Sequence, residues 1–242
     1  MNNRVEILGV EVDSVTMREA VEFVENLIDA RQPSLVATAN AEMLLRATHD
    51  EELKKILNSA ALVVPDGAGT VWAAHHLGFD MPERVAGFDL VQELLKVAPS
   101  KSQKLFFFGS APGVAEKAKS KAEELYSGIN IVGVRDGFFS ADDEPAIIEQ
   151  IKNAQPDILL AALGVPKQEK WLAKHKEILN VPVSIGVGGT LDVMAGVVKR
   201  APLWMQKAKL EWLFRAMLQP SRAGRLVALP KFVWKVHNSK KS

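Results

Sequence analysis

The sequence predicts an α/β fold, a largely parallel sheet with helices on both faces. Three observations carry this. Short apolar, β-branched runs alternate with helix-like segments along almost the whole chain, the pattern of repeated strand–helix units that lays strands side by side in parallel. Several runs, such as Leu105-Phe106-Phe107-Phe108 and Leu159-Leu160-Ala161-Ala162, do not alternate with polar residues, as expected of strands covered on both faces. The chain of 242 residues, 48% hydrophobic, is also long enough to bury a sizeable core.

The strand runs, in order, are Val5–Val10, Ser34–Ala39, Ala61–Val64, Lys104–Phe108, Asn130–Val134, Asp157–Ala162 and Val183–Val187. After the second run, Asn40 precedes the helical stretch Ala41–Thr48, and capping that helix is its default role. The third run ends at Pro65-Asp66-Gly67. Arg84 falls in a short connection between helices, where a solvated arginine is the ordinary expectation. Asp142-Asp143-Glu144 precedes a helix as a cap, and Pro166-Lys167-Gln168-Glu169 opens another that reaches about Ile178, since proline and glutamate suit a first helical turn. The single plausible boundary, near Gly196–Pro202, divides a core of residues 1–196 from an appendage of residues 197–242.

The appendage differs sharply in charge. Of the chain's 30 basic residues, eleven lie from Lys199 onward with only one of the 29 acids, Glu211, so the body carries 19 bases against 28 acids. Trp204, Trp212, Phe214, Phe232 and Trp234 are interleaved with that charge. The spacing of Leu226, Leu229, Val233 and Val236 makes one apolar helical stripe, interrupted by Pro230, and Leu203, Leu210, Leu213 and Met217 offer another. A basic, aromatic amphipathic helix suits peripheral contact with an anionic membrane. Packing on the body or in a homo-oligomer is the rival. Nucleic acid is not expected, because no helix-turn-helix or stacking motif accompanies the charge.

No run reaches the roughly 18 apolar residues of a membrane span, and the opening residues lack a long apolar stretch, so the expectation is a cytoplasmic protein with peripheral membrane contact. The absence of cysteine excludes disulfides and thiolate metal sites. His75-His76 does not read as a metal pair, because adjacent helical residues point about 100° apart and no carboxylate stands at ligand spacing. No metal and no cofactor are expected.

Ligands of open α/β sheets bind beyond the carboxyl ends of the strands. There the chain places Thr38-Ala39-Asn40, Pro65-Asp66-Gly67-Ala68-Gly69, Gly109-Ser110-Ala111-Pro112-Gly113, Asp136-Gly137-Phe138-Phe139, Gly164-Val165-Pro166-Lys167 and Gly186-Val187-Gly188-Gly189-Thr190. Glycine beside small polar residues leaves backbone N–H groups at helix N-termini open to a phosphate, yet each loop taken alone serves equally as a tight turn. None is a G-x-G-x-x-G or a G-x-x-x-x-G-K-[ST] signature, which disfavours a dinucleotide oxidoreductase. Asp66 is either a turn aspartate or a general base, the latter because an alcohol nucleophile is not ionised near neutral pH. No Asp-x-Asp occurs, so a diphosphate leaving group would need arginines or helix N-termini.

The blocks Thr38-x-Asn40, Pro65-Asp66-Gly67, Glu83-Arg84-Val85-x-Gly87, Gly164-x-Pro166-Lys167-Gln168-Glu169, Gly186-Val187-Gly188-Gly189, Arg200-Ala201-Pro202-x-Trp204 and Glu211-Trp212-x-x-Arg215 together resemble the WecG/TagA/CpsF glycosyltransferases, family 26, in order and over nearly the whole chain. The resemblance, strongest to the TagA-type members that act in wall teichoic acid synthesis, implies a Rossmann-like core whose C-terminal appendage docks on the membrane and completes the site. It implies an inverting, metal-independent transfer of N-acetylmannosamine from UDP-N-acetylmannosamine to undecaprenyl-diphosphate-linked N-acetylglucosamine, although the donor sugar varies across the family, N-acetylmannosaminuronic acid being one alternative. By that resemblance Asp66 is the base, and Thr38, Asn40, Arg84 and Gln168 line the pocket. The donor would be held by Gly109, Ser110, Gly137, Phe138, Gly164, Lys167, Gly186, Gly188, Gly189 and Asp192, and by the appendage arginines Arg215, Arg222 and Arg225. A membrane-tethered nucleotide-binding protein without chemistry is the rival from another class.

Overall fold

The computed structural model describes residues 3–202, 204, 205, 211, 213, 214 and 224–239, with backbone alone at 224–227. Its centre is a six-stranded sheet, every pairing parallel. The strands are β3 (Ser34–Ala39), β4 (Leu62–Pro65), β5 (Lys104–Gly109), β6 (Asn130–Arg135), β7 (Ile158–Ala162) and β8 (Val183–Gly186), in the order β4-β3-β8-β7-β5-β6. Alternate side chains of each central strand enter opposite cores. Phe106 and Phe108 of β5 face one and Leu105 and Phe107 the other, all fully buried, which is why the run carries no polar residue.

The first apolar run is not one strand. It is a hairpin of β1 (Arg4–Ile7) and β2 (Val10–Asp13), separate from the main sheet, because Leu8 and Gly9 both take positive φ (54° and 83°) and reverse the chain. The hairpin shields the edge strand β4. Buried Asp13 accepts the Val63 N–H through Oδ2 at 2.7 Å, and its Oδ1 receives Arg4 Nε at 3.1 Å.

Helices cover both faces. One face carries α1 (Met17–Ala30), α5 (Gly87–Val97), α6 (Val114–Leu125) and α9 (Thr190–Met194). The other carries α2 (Ala41–Ala47), α3 (Glu51–Ser59), α4 (Ala68–Leu77), α7 (Glu144–Ala154) and α8 (Lys167–Leu179). The chain leaving β3 enters α2 on one face, whereas the chain leaving β8 enters α9 on the other. Since β3 and β8 are neighbours, their carboxyl ends part and open a crevice.

The final helix, α10 (Gly224–Ser239), runs through Pro230, which sits on its exposed face, instead of breaking there. It packs on α2 and α4 with Val236 fully buried and Leu229 partly so, as the stripe predicts, but with Phe232 fully buried in place of Val233, which is 42% exposed; the side chain of Leu226 lies outside the described residues. Lys235 Nζ donates to Thr48 Oγ1 at the end of α2, 2.7 Å away, and His237 Nδ1 meets His76 Nε2 of α4 at 3.2 Å. Of the second expected stripe, Leu203, Leu210 and Met217 lie outside the described residues.

Candidate active site

A cavity of about 180 Å³ occupies the crevice at the carboxyl ends of β4, β3 and β8. It brings Thr38, Asn40, Asp66 and Arg84 together, from three separate loops. Asn40 caps α2, its Oδ1 accepting the Met43 N–H at 3.0 Å, so the expected local role is present; the amide Nδ2 is the polar atom this leaves for the cavity. Thr38 is buried and donates Oγ1–H to the Gly186 carbonyl at 3.2 Å, tying β3 to β8 beneath the cavity.

Asp66 follows β4 directly. Its N–H donates to the Ala39 carbonyl at 3.0 Å, and the Thr70 hydroxyl, which donates to that same carbonyl at 2.9 Å, also lies 3.2 Å from the Asp66 carbonyl, while the residue lines the cavity. Arg84 is brought alongside by a backbone bond from Val85 N–H to the Pro65 carbonyl, 3.0 Å. Gly87 starts α5 against β3: a Cβ there would fall 2.9 Å from Thr38 Cγ2, so only glycine lets this helix approach so closely.

The cavity wall is rich in features that suit an anion. The N-termini of α4 and α5, at Gly67-Ala68-Gly69 and Ala86-Gly87-Phe88, border it, and neither has a side-chain cap. Two cations sit beside them. Arg84 Nη1 donates to Glu211 Oε2; Arg200 holds Asp89 through two contacts of 2.8 and 2.9 Å, reaches Glu211 Oε1 at 3.5 Å, and lies 4.6 Å over the Phe88 ring.

Other expected site residues lie elsewhere. Gln168 is buried and does not line the cavity. Its Oε1 accepts the N–H groups of Gly164 and Gly188, each at 3.1 Å, and its Nε2 donates to Glu169 Oε1 at 2.7 Å, so it clasps the loops after β7 and β8 to each other. Burial pushes the Glu169 carboxyl up to about 7, the Gln168 bond only partly offsetting it. Gly109, Ser110, Gly137, Phe138, Gly164 and Lys167 gather at the other half of the sheet's carboxyl edge, beyond β5, β6 and β7. There Gly109 (φ 123°) passes so close to β7 that a Cβ would meet Ala162 O at 2.4 Å, the Gly137 N–H donates to the Ser110 carbonyl at 2.8 Å, Phe138 is exposed, and Lys167 Nζ stands 4.3 Å over the Phe139 ring. Gly186, Gly188 and Gly189 form the β8–α9 turn between the two groups, and Asp192 lies in the first turn of α9. Arg215 and Arg222 are outside the described residues, as is the side chain of Arg225.

Sequence reasoning missed Arg200, Glu211, Phe88 and Leu229 as cavity residues. Arg200 and Glu211 were visible as members of family-like blocks, but nothing local tells that they meet Arg84.

The model of the glycosyl transferase WecG/TagA/CpsF family matches residues 5–242. Proteins of Staphylococcus aureus strains NCTC 8325 and MRSA252, each named N-acetylglucosaminyldiphosphoundecaprenol N-acetyl-beta-D-mannosaminyltransferase, are 34% identical over 240 residues, covering 98% of this chain and 94% of their own length.

Proposed function

Because the chain belongs to the WecG/TagA/CpsF family of glycosyl transferases, we propose that it transfers N-acetylmannosamine from UDP-N-acetylmannosamine to undecaprenyl-diphosphate-linked N-acetylglucosamine; its Staphylococcus aureus relatives are named for the mannosaminyl transfer and the acceptor, and the UDP donor is part of the proposal. The observation that carries the reading is the single cavity in which Asp66 stands with Thr38, Asn40 and Arg84 beside two uncapped helix N-termini. A carboxylate and an array of donors in one crevice match a reaction in which an alcohol loses a proton while a diphosphate gains charge.

Asp66 takes the proton from the acceptor hydroxyl as its oxygen attacks the anomeric carbon. The bond from that carbon to the diphosphate oxygen breaks in the same displacement, UDP leaves with the electron pair, and the anomeric configuration inverts. Thr38, Asn40 and Arg84 orient donor and acceptor, and Gln168 keeps the β7 and β8 loops in place around them. The glycine loops at Gly109-Ser110, Gly137-Phe138, Gly164 and Gly186–Gly189, with Lys167 and Asp192, hold the nucleotide. Arg215, Arg222 and Arg225 meet the charge of UDP from the appendage.

The acceptor's lipid requires work at a membrane face, which we place on the cytoplasmic side. No helix among the described residues is long and apolar enough to cross a membrane. Exposed Trp204, Val233 and Trp234, with Lys231 beside the last two, supply a peripheral contact.

A product assay tests the reading: UDP-N-acetylmannosamine and a short-chain lipid-diphosphate N-acetylglucosamine should yield a lipid-linked disaccharide and UDP. Product from UDP-N-acetylmannosaminuronic acid alone would replace the donor, and uptake of nucleotide without any disaccharide would leave a binding protein.

A further inference from the structure

The appendage's single acid reaches an arginine of the core. Eleven bases accompany Glu211 from Lys199 onward, yet its carboxylate, only 14% exposed, lies in the cavity wall on Arg84 and Arg200. The two carboxylates of this cluster stand differently. Asp89 is in the first turn of α5, does not line the cavity, and grips Arg200 in a two-contact fork from the scaffold side. Glu211 comes from the appendage and lines the cavity itself. It receives Arg84 Nη1 beside the uncapped N-termini of α4 and α5. The wall also holds the carboxylates of Asp66 and Glu42, yet where Arg84 and Arg200 stand beside helix N-termini the group that meets them is Glu211, a carboxylate on a separate segment of chain.

We infer that Glu211 holds the place on Arg84 that the diphosphate of a nucleotide-sugar takes, so that the appendage carboxylate and the incoming anion compete for the same guanidinium. This rests on the donor proposed above. Among the described residues two arginines face two carboxylates here, and a diphosphate entering beside a fixed Glu211 would meet like charge at close range in a partly desolvated wall. Exchange of Glu211 for the diphosphate removes that repulsion and leaves Asp89 to hold Arg200, with its Oδ2 3.7 Å from Arg84 Nη2. It also links the appendage to the cavity: what loads the cavity releases one appendage contact, and by reciprocity docking of Glu211 weakens the anion.

Calorimetric titration of the full chain and of Glu211→Gln, which keeps the side chain's shape, with pyrophosphate, UDP and uridine tests this. Pyrophosphate and UDP should bind the variant about tenfold more tightly, within the usual range of coupling between sites, and uridine should bind both proteins equally. Pyrophosphate binding no tighter in the variant, including no binding to either protein, overturns the proposal, because Glu211 is then a scaffold counter-ion. Equal gains for uridine also overturn it, since a loosened appendage rather than a removed charge would be the cause. Tighter pyrophosphate with no binding of UDP sustains the anion exchange and sinks the uridine nucleotide donor instead.

Discussion

Asp66 lines the cavity with its N–H on the Ala39 carbonyl, and an asparagine in its place keeps the side chain's size while losing its charge. Asp66→Asn should therefore reduce disaccharide formation by roughly 10²–10⁴-fold, the usual worth of a general base, while the thermal unfolding midpoint stays near that of the parent; retention of most turnover would remove Asp66 from that role. Glu169 makes a different prediction. Its folded-state carboxyl is pushed up to about 7 from an ordinary value of 4.5, so between those pH values the folded chain keeps a proton that the unfolded chain has released. Stability from this group is therefore full below about pH 4.5, falls as pH rises through the window by at most roughly 1.4 kcal/mol per pH unit, and levels off above 7. Glu169→Gln should flatten that fall, read from denaturation midpoints at pH 5, 6, 7 and 8; an unchanged slope would show that burial does not hold the proton. At this scale the sequence marks candidate residues but not which way they face. Gln168 reads like a pocket residue, yet its amide is spent on Gly164, Gly188 and Glu169.

Among the elements, the parallel strands were the most legible, because double burial leaves an unbroken apolar run that no amphipathic helix or exposed strand would show. The hairpin was less so: its turn is made by Leu8-Gly9 inside an apolar run, and only the positive φ values separate β1 from β2. Helix α10 shows the limit of periodicity, since residues at i+3 and i+4 both approximate one face and the choice of Phe232 over Val233 is made by the groove it enters. Phe232→Ala should cost about 3–5 kcal/mol of stability or release α10 locally, and should impair transfer because Leu229, one turn away, lines the cavity. Val233→Ala should stay within about 0.5 kcal/mol by chemical denaturation. Equal losses in the two variants would mean that the helix docks by another face.

Over the whole molecule, among the described residues, the buried members of one core all precede residue 192, and the other draws Phe232 and Val236 from the appendage, with Leu229 partly buried against it. A chain ending at residue 198 should therefore keep the circular dichroism of the α/β body with a lowered melting midpoint, because the groove between α2 and α4 is bared. It should transfer little sugar, because Arg200, Glu211 and Leu229 leave the cavity wall with the deleted segment. Full activity in the truncated chain would refute an appendage that completes the site. The sequence by itself determined the α/β class, the six parallel strands along the chain and the loops in which Asp66, Asn40 and Arg84 would be found, since these depend on local burial pattern and turn chemistry. It also exposed the charge difference beyond residue 198. Only the tertiary structure decided that the loops of β3 and β4 share a cavity while those of β5 and β6 do not, and that the appendage's one acid meets Arg84. Strand order in the sheet and the docking of α10 are set by contacts between residues far apart in the chain, and no local pattern of residues encodes which distant partner each surface will meet.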